Sequence, residues 1–258
     1  MSFLSISGIH HTYFSKTSAK TALFDVSMEI EEGEFVSFLG PSGCGKTTLL
    51  SIISGLLKPT AGKVFLEKNP ISTSKIQIGY MLQQDYLFPW KTIEENILLG
   101  LKLSGSLTPA NHFATLRLLN QMGISGVEDQ LPKQLSGGMR QRVALVRTLA
   151  TEPKLLLLDE PFSALDYQTK LKLEDLVSAT LTSFGKTAIL VSHDIGEAIA
   201  MSDRVILFSP GPGKIHRIFE MPESLKKLTP FEARNHEDFP QVFQTIWKEL
   251  ESLESGTN

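Results

Sequence analysis

Gly40-Pro41-Ser42-Gly43-Cys44-Gly45-Lys46-Thr47-Thr48 decides the reading of this chain. Gly40, Gly45, Lys46 and Thr47 fill the pattern G-x-x-x-x-G-K-[ST], a phosphate-binding loop. Before it, Glu34-Phe35-Val36-Ser37-Phe38-Leu39 reads as a buried strand. After it, Leu49, Leu50, Ile52 and Ile53 fall at helical spacing. Glycines let backbone N–H groups close around phosphate oxygens, and the new helix points its positive end at them. Lys46 supplies a point charge for the β- and γ-phosphates, and the Thr47 hydroxyl suits Mg²⁺. A glycine turn between strand and helix is the bland alternative, and the strand–loop–helix context argues against it.

Composition bounds what such a site can belong to. The 258 residues, 41% of them hydrophobic, suffice for one large domain or one domain with an insertion. Net charge is −3 with no basic block, which argues against nucleic acid as a partner. The single cysteine, Cys44, excludes an intrachain disulfide and fits a reducing compartment. No apolar run approaches the ~18 residues of a membrane span. Met1-Ser2-Phe3-Leu4-Ser5 has no basic stretch ahead of an apolar one, so a secretory signal is not expected. A cytosolic protein is expected, with membrane contact made through a partner.

Strand and helix patterns alternate outward from the loop. Residues 3–9 and 23–30 alternate as half-exposed antiparallel strands do, and 63–66 and 76–81 are further short strands. From about 92 to 150 the texture is helical. Leu98, Leu101 and Leu103 are expected on one segment, and Phe113, Leu116, Leu119 and Met122 on another. The continuous apolar runs 155–158 and 187–191 suit central parallel strands. The expectation is an α/β fold: a parallel-sheet nucleotide core, an antiparallel flap, and a helical insertion near 84–150.

Asp159 and Glu160 stand at the carboxyl end of the run 155–158, where open α/β sheets place ligands. Asp159 suits Mg²⁺ held through water. Glu160 suits the polarising of a water that attacks the γ-phosphate. Further back, Leu135-Ser136-Gly137-Gly138-Met139-Arg140-Gln141-Arg142 opens a helix with Met139, Val143, Val146 and Ala150 along one face. Ser136 is a good N-cap, and the two glycines permit close backbone approach. This is a second anion-binding helix terminus in a chain with one phosphate loop.

Ser-Gly-Gly before Met-Arg-Gln-Arg, together with the loop, resembles the signature of ATP-binding cassette (ABC) ATPases over roughly residues 3–215. The resemblance implies a P-loop NTPase core with a RecA-like parallel sheet, an antiparallel β flap and an inserted helical subdomain. It implies ATP hydrolysis with ATP and Mg²⁺ as cofactors. Residues 40–48 would hold the phosphates: Gly40, Pro41, Ser42, Gly43, Cys44, Gly45, Lys46, Thr47 and Thr48. Tyr13 resembles the aromatic that stacks on adenine, with Phe14 its rival. Gln83 matches the glutamine that reaches Mg²⁺ and the attacking water, and is preferred to Gln84 because Pro89 lies at the family's spacing. Thr47, Gln83 and Asp159 would be the metal residues; Glu160, His193 and Gln83 the catalytic ones. His193, in Ser192-His193-Asp194, resembles the switch histidine. Ser163-Ala164-Leu165-Asp166 resembles the loop that contacts the opposite subunit.

In that family two subunits pack head to tail, so the loop of one and Ser136-Gly137-Gly138 of the other sandwich each ATP. A homodimer in the ATP-bound state is therefore implied. The chain would act as a transport motor through integral-membrane permease subunits, at the cytoplasmic face of the membrane. Leu87-Phe88-Pro89-Trp90 resembles the groove that receives a permease helix, with core packing of Trp90 as the alternative. Pro212-Gly213-Lys214-Ile215, Phe239-Pro240 and an amphipathic helix bearing Val242, Phe243, Ile246, Trp247 and Leu250 resemble the tail of nitrate/sulfonate/taurine importer ATPases. The domain division expected is 1–215 for the ATPase and 216–258 for the tail. An extracytoplasmic solute-binding protein would act indirectly, through the permease. An exporter ATPase and a soluble, non-transport cassette ATPase are the alternatives.

Overall fold

The computed structural model describes residues 2–74 and 77–255. In chain order they form β1 (Ser2–Phe14), β2 (Ala19–Glu31), β3 (Phe35–Leu39), α1 (Lys46–Ile53), β4 (Ala61–Leu66), β5 (Asn69–Pro70) and β6 (Ile78–Met81). Then come α2 (Ile93–Ile97), α3 (Leu99–Leu103), α4 (Pro109–Gln121), α5 (Gly137–Leu149), β7 (Leu155–Asp159), α6 (Tyr167–Ser183), β8 (Thr187–Val191) and α7 (Ile195–Met201). The chain continues through β9 (Arg204–Phe208), β10 (Ile215–Glu220), α8 (Glu223–Lys226), α9 (Pro230–Arg234) and α10 (Phe239–Ser255).

β3, β7 and β8 are buried at every position, which is what unbroken apolar runs require when both faces of a sheet are covered. They lie inside a sheet of order β10-β9-β3-β8-β7-β6. Its pairs are parallel except β10 against β9. The flap is a second, antiparallel sheet of order β2-β1-β4-β5. One core cluster lies between the two sheets around α1, and a second joins the parallel sheet to α2–α6. The strand expected over 76–81 is β6 from Ile78; Ile76 lies outside the described residues.

The two helical segments expected over 98–103 and 113–122 form, but they bury only part of their apolar residues, and one expected face, on α10, is corrected. Leu98 and Leu101 are buried but Leu103 is exposed, and Leu119 and Met122 are buried while Phe113 is 69% exposed. A residue two places from a buried one is turned roughly 200° around a helix. Leu103 stands two from Leu101, and Phe113 two from buried Thr115, so each faces outward. On α10, Ile246 is fully buried, whereas Trp247 sits at the edge of the face and is half-exposed.

Candidate functional site

β3 delivers the chain to the loop at 40–45, and α1 leaves it at Lys46. Gly45 caps α1 with φ 97° and no side-chain bond, so the first-turn N–H groups stay free of a side-chain cap. A Cβ at Gly45 would lie 2.7 Å from the Ala22 carbonyl oxygen, and one at Gly40 2.8 Å from that of Phe208. Both glycines are thus required by backbone conformation and by space. The back of the loop is closed by Gly213, where a Cβ would overlap the Cys44 carbonyl. Gly213 is stitched to β2 by its N–H to Ala22 O and its carbonyl to Phe24 N.

The Lys46 ammonium is buried and donates to Gly40 O at 2.7 Å and Pro41 O at 3.0 Å. A cation is thereby fixed beside the helix N-terminus. Thr47 Oγ1 donates to Asp159 Oδ1 at 3.2 Å. Asp159 ends β7 and is 1% exposed, and its second oxygen, Oδ2, is buried without a hydrogen-bond partner. Burial raises its pKa above the usual carboxylate range; the Thr47 hydroxyl opposes that, the Glu160 charge adds to it, and Lys46 opposes it.

Glu160 follows on a backbone at φ 52°, a left-handed conformation held by its N–H to Val191 O at 2.9 Å. Gln83 Nε2 donates to Glu160 Oε2 at 3.2 Å, and His193 Nδ1 stands 3.5 Å from the same oxygen. Tyr13, Lys46, Thr47, Gln83, Glu160 and His193 all line one cavity of about 350 Å³. The Tyr13 hydroxyl lies 3.2 Å from Thr48 Oγ1, and the ring meets His11 edge to face. Phe14 is strongly exposed and is not among the residues lining the cavity.

The residues at 136–138 do not join this cavity. Ser136 caps α5 by accepting from Met139 N at 3.3 Å, and Ser136 and Gly137 face solvent. Gly138 packs on the loop carrying 163–166, where a Cβ would meet Leu165 at 3.1 Å. Asp166 is also outside the cavity. It caps α6 through Thr169 N at 3.0 Å, and that hydrogen bond holds its pKa low.

Several contacts that build the site escaped the sequence reading. Gln141, buried on α5, donates to Glu160 O at 3.1 Å and accepts from Ala164 N at 3.1 Å, tying the two loops together. Arg140 reaches Asp85 at 2.9 Å, and Arg147 donates to the carbonyls of Asp85 and Tyr86. Fully buried Asn96 accepts from Phe88 N and donates to the carbonyls of Phe88, Lys91 and Thr92. These bonds hold the segment 85–92 rigidly while Trp90 projects from it, 71% exposed, stacked edge to face on Phe88. The partners of Arg140, Gln141 and Arg147 lie far along the chain and those of Asn96 in an irregular loop, so no periodic pattern signals them; only the polar types at otherwise apolar helix positions, Asn96 and Gln141, stand out.

Among the described residues, no helix is long and apolar enough to cross a membrane. The sequence profile described as ABC transporter matches residues 23–163. The chain is 60% identical over 254 residues to an uncharacterised ABC transporter ATP-binding protein, YtlC, of Bacillus subtilis (strain 168), covering 98% of each. It is 42% identical over 212 residues to the taurine import ATP-binding protein TauB of Yersinia pestis bv. Antiqua (strain Antiqua), covering 82% of each. Its fold matches the dimeric structure of a post-hydrolysis state of the ATP-binding cassette MJ0796 bound to ADP and Pi. There the TM-score is 0.78 at 33% identity, over 85% of this chain and 99% of that one.

Proposed function

The chain belongs to the ABC transporter family as an ATP-hydrolysing, ATP-binding subunit, and from that premise we propose that it powers import of a small solute through a separate membrane permease. The observation that carries the reading is the convergence of Lys46, Thr47, Gln83, Glu160 and His193 on one cavity at the carboxyl ends of parallel strands. Under it, the 40–48 backbone and the Lys46 ammonium bind the phosphates, and Tyr13 rather than Phe14 stacks on the base. The donor set fits Mg²⁺: Asp159 has a buried oxygen without a partner, and Thr47 stands on the other. Thr47, Asp159 and Gln83 would hold the ion, which when bound offsets phosphate charge.

Glu160 orients the attacking water and accepts its proton, while the γ-phosphoryl group leaves ADP for that water. Gln83 and His193 both approach Oε2, which turns Oε1 to the water. His193 also reaches the γ-phosphate. The left-handed backbone at Glu160 and the Gln141 bond to its carbonyl fix the carboxylate before substrate arrives.

Ser136, Gly137 and Gly138 complete the nucleotide site of a second copy. The exposed N-terminus of α5, capped but outside its own chain's cavity, supports that reading, as does the dimeric MJ0796 structure. Asp166 and its loop face the same partner. Each ATP then lies between two subunits and binds them together. The permease docks on the 85–92 segment through Trp90. Arg140 and Arg147 connect that segment to α5, the helix that reaches the other subunit's nucleotide.

The likeness to TauB favours a sulfonate- or taurine-like solute, within a nitrate/sulfonate/taurine group of importers. A solute-binding protein outside the membrane delivers it, and the chain works at the cytoplasmic face. The same reading divides the chain into an ATPase domain over 1–215, with a helical subdomain near 84–150, and a tail over 216–258. Deleting this subunit should abolish uptake of isotopically labelled taurine or alkanesulfonates, and the wild-type chain, not Glu160→Gln, should restore it. Normal uptake of all tested sulfonates in the deletion strain, with lost efflux of another compound, would overturn the importer reading.

A further inference from the structure

Five charged side chains from three helices meet behind His193. Lys170 of α6 stands 2.7 Å from Asp194 Oδ2 and 2.6 Å from Glu197 Oε2, both at the start of α7. It is also 3.9 Å from Glu174 Oε1, one turn along its own helix. Glu174 is 0% exposed, and Oε1 has no hydrogen bond. Its other oxygen takes a 2.6 Å bond from Arg234, which comes from α9 in the C-terminal tail. α9 is seated there twice. Phe231 N donates to Asp175 Oδ1 at 2.9 Å, and Gly196 leaves room for the guanidinium, since a Cβ there would lie 2.6 Å from it.

Asp194 directly follows His193. Its N–H is held by Ser192 Oγ at 2.9 Å and its Oδ1 by Glu197 N at 3.1 Å. The Lys170 bond to Oδ2 completes the clamp on the turn that aims His193 at Glu160. Three carboxylates therefore share two cations. Take Arg234 away, and the nearest cation for buried Glu174 is Lys170, within a small side-chain rotation.

We propose that Arg234 is a positioning residue for hydrolysis: by neutralising Glu174 it leaves Lys170 free to hold the Asp194 turn, so the tail sets the place of His193. This rests on the assignment of His193 to the hydrolytic site. Glu174 is faced by Arg234 from α9, by Glu197 from α7 and by Lys170 from its own helix, with Asp194 reached through Lys170. Burial pushes Glu174 up to about 7 even against the pull of Arg234. Without the guanidinium it is neutral at low pH, makes no demand on Lys170, and ionises only as pH rises.

The test is steady-state ATP hydrolysis by the full chain between pH 6.5 and 9. Arg234→Ala should lower kcat about fivefold at the alkaline end, less at the acid end, with KM for ATP unchanged. Adding Glu174→Gln should restore kcat to within about twofold and flatten the pH profile. Should Arg234→Ala fail to fold, Arg234→Gln, which keeps most of the side chain but not its charge, should show the same loss and the same rescue. An unchanged kcat for Arg234→Ala, or a loss that Glu174→Gln does not rescue, overturns the proposal. His193→Ala is the control: if it hydrolyses ATP normally, the His193 assignment fails; if it is inactive while Arg234→Ala is normal, only the tail proposal fails.

Discussion

Two glycine-bearing helix starts, Gly45 before α1 and Ser136 to Gly138 at α5, differ in what surrounds them. The first is walled in: Ala22, Phe208 and Gly213 press on the loop, Lys46 is buried, and Asp159 and Glu160 stand opposite. The second has its serine and first glycine in solvent, and its residues do not line the first one's cavity. Its fastening runs backward, through Gly138 on Leu165 and Gln141 on Glu160 and Ala164. An enclosed terminus can bind an anion by itself. An open one braced from behind is suited to press on something brought to it, which in the proposed dimer is a second copy of the chain.

Breaking the enclosed terminus should have the largest effect. Lys46→Ala removes a fixed cation from a partly desolvated site, so ATP binding and hydrolysis should fall together, hydrolysis by at least about 10²-fold. Nucleotide titration followed by phosphate release checks this. Breaking the open terminus should separate the two activities. Ser136→Arg should lower hydrolysis about 10²-fold while each chain keeps ATP on its own loop. Equal losses of binding in both variants would erase the distinction between the two termini.

A third change tests whether the bracing behind α5 leads outward. Trp90→Glu alters an exposed side chain on a segment held by Asn96 and Arg147. The free subunit should melt within about 2 °C of the parent and hydrolyse ATP normally, while membrane recruitment and uptake are lost. A large drop in melting temperature would mean that Trp90 supports the fold instead.

The smallest effect sharpens the role of the tail in stability. Glu174 sits at about 7 when folded, above the usual carboxylate value near 4.5. The folded chain therefore holds a proton that the unfolded chain has lost, and stability falls as pH rises through that window. Relative to the parent, the melting temperature of Glu174→Gln should climb between pH 5 and pH 7.5. A constant difference would place the ionisation elsewhere.

Motifs made the enclosed site legible. Spacing alone located Lys46, Thr47, Asp159 and Glu160, because phosphate chemistry restricts residue type at each place and strand ends restrict position. Gln83 and His193 were legible only through family resemblance, and the cavity now brings both beside Glu160. What stayed hidden is long-range. Arg234 and Glu174, Arg140 and Asp85, and Gly213 and Cys44 are pairs that folding brings together from distant segments. Spacing put Leu103 and Phe113 on helical segments without telling that they face outward, past the buried stripe. Exposure of Trp90 could not be read from a Pro-Trp pair, since a tryptophan serves a core as readily as a surface.

The two termini meet in one measurement, the mass of Glu160→Gln in solution with Mg²⁺ and ATP, by sedimentation equilibrium. With hydrolysis blocked and binding intact, the account predicts twice the subunit mass with ATP and the single-subunit mass without it. Adding Ser136→Arg to the same chain should return it to single-subunit mass while ATP stays bound. A Glu160→Gln chain that remains single with saturating ATP, or a dimer indifferent to Ser136→Arg, would contradict the shared site.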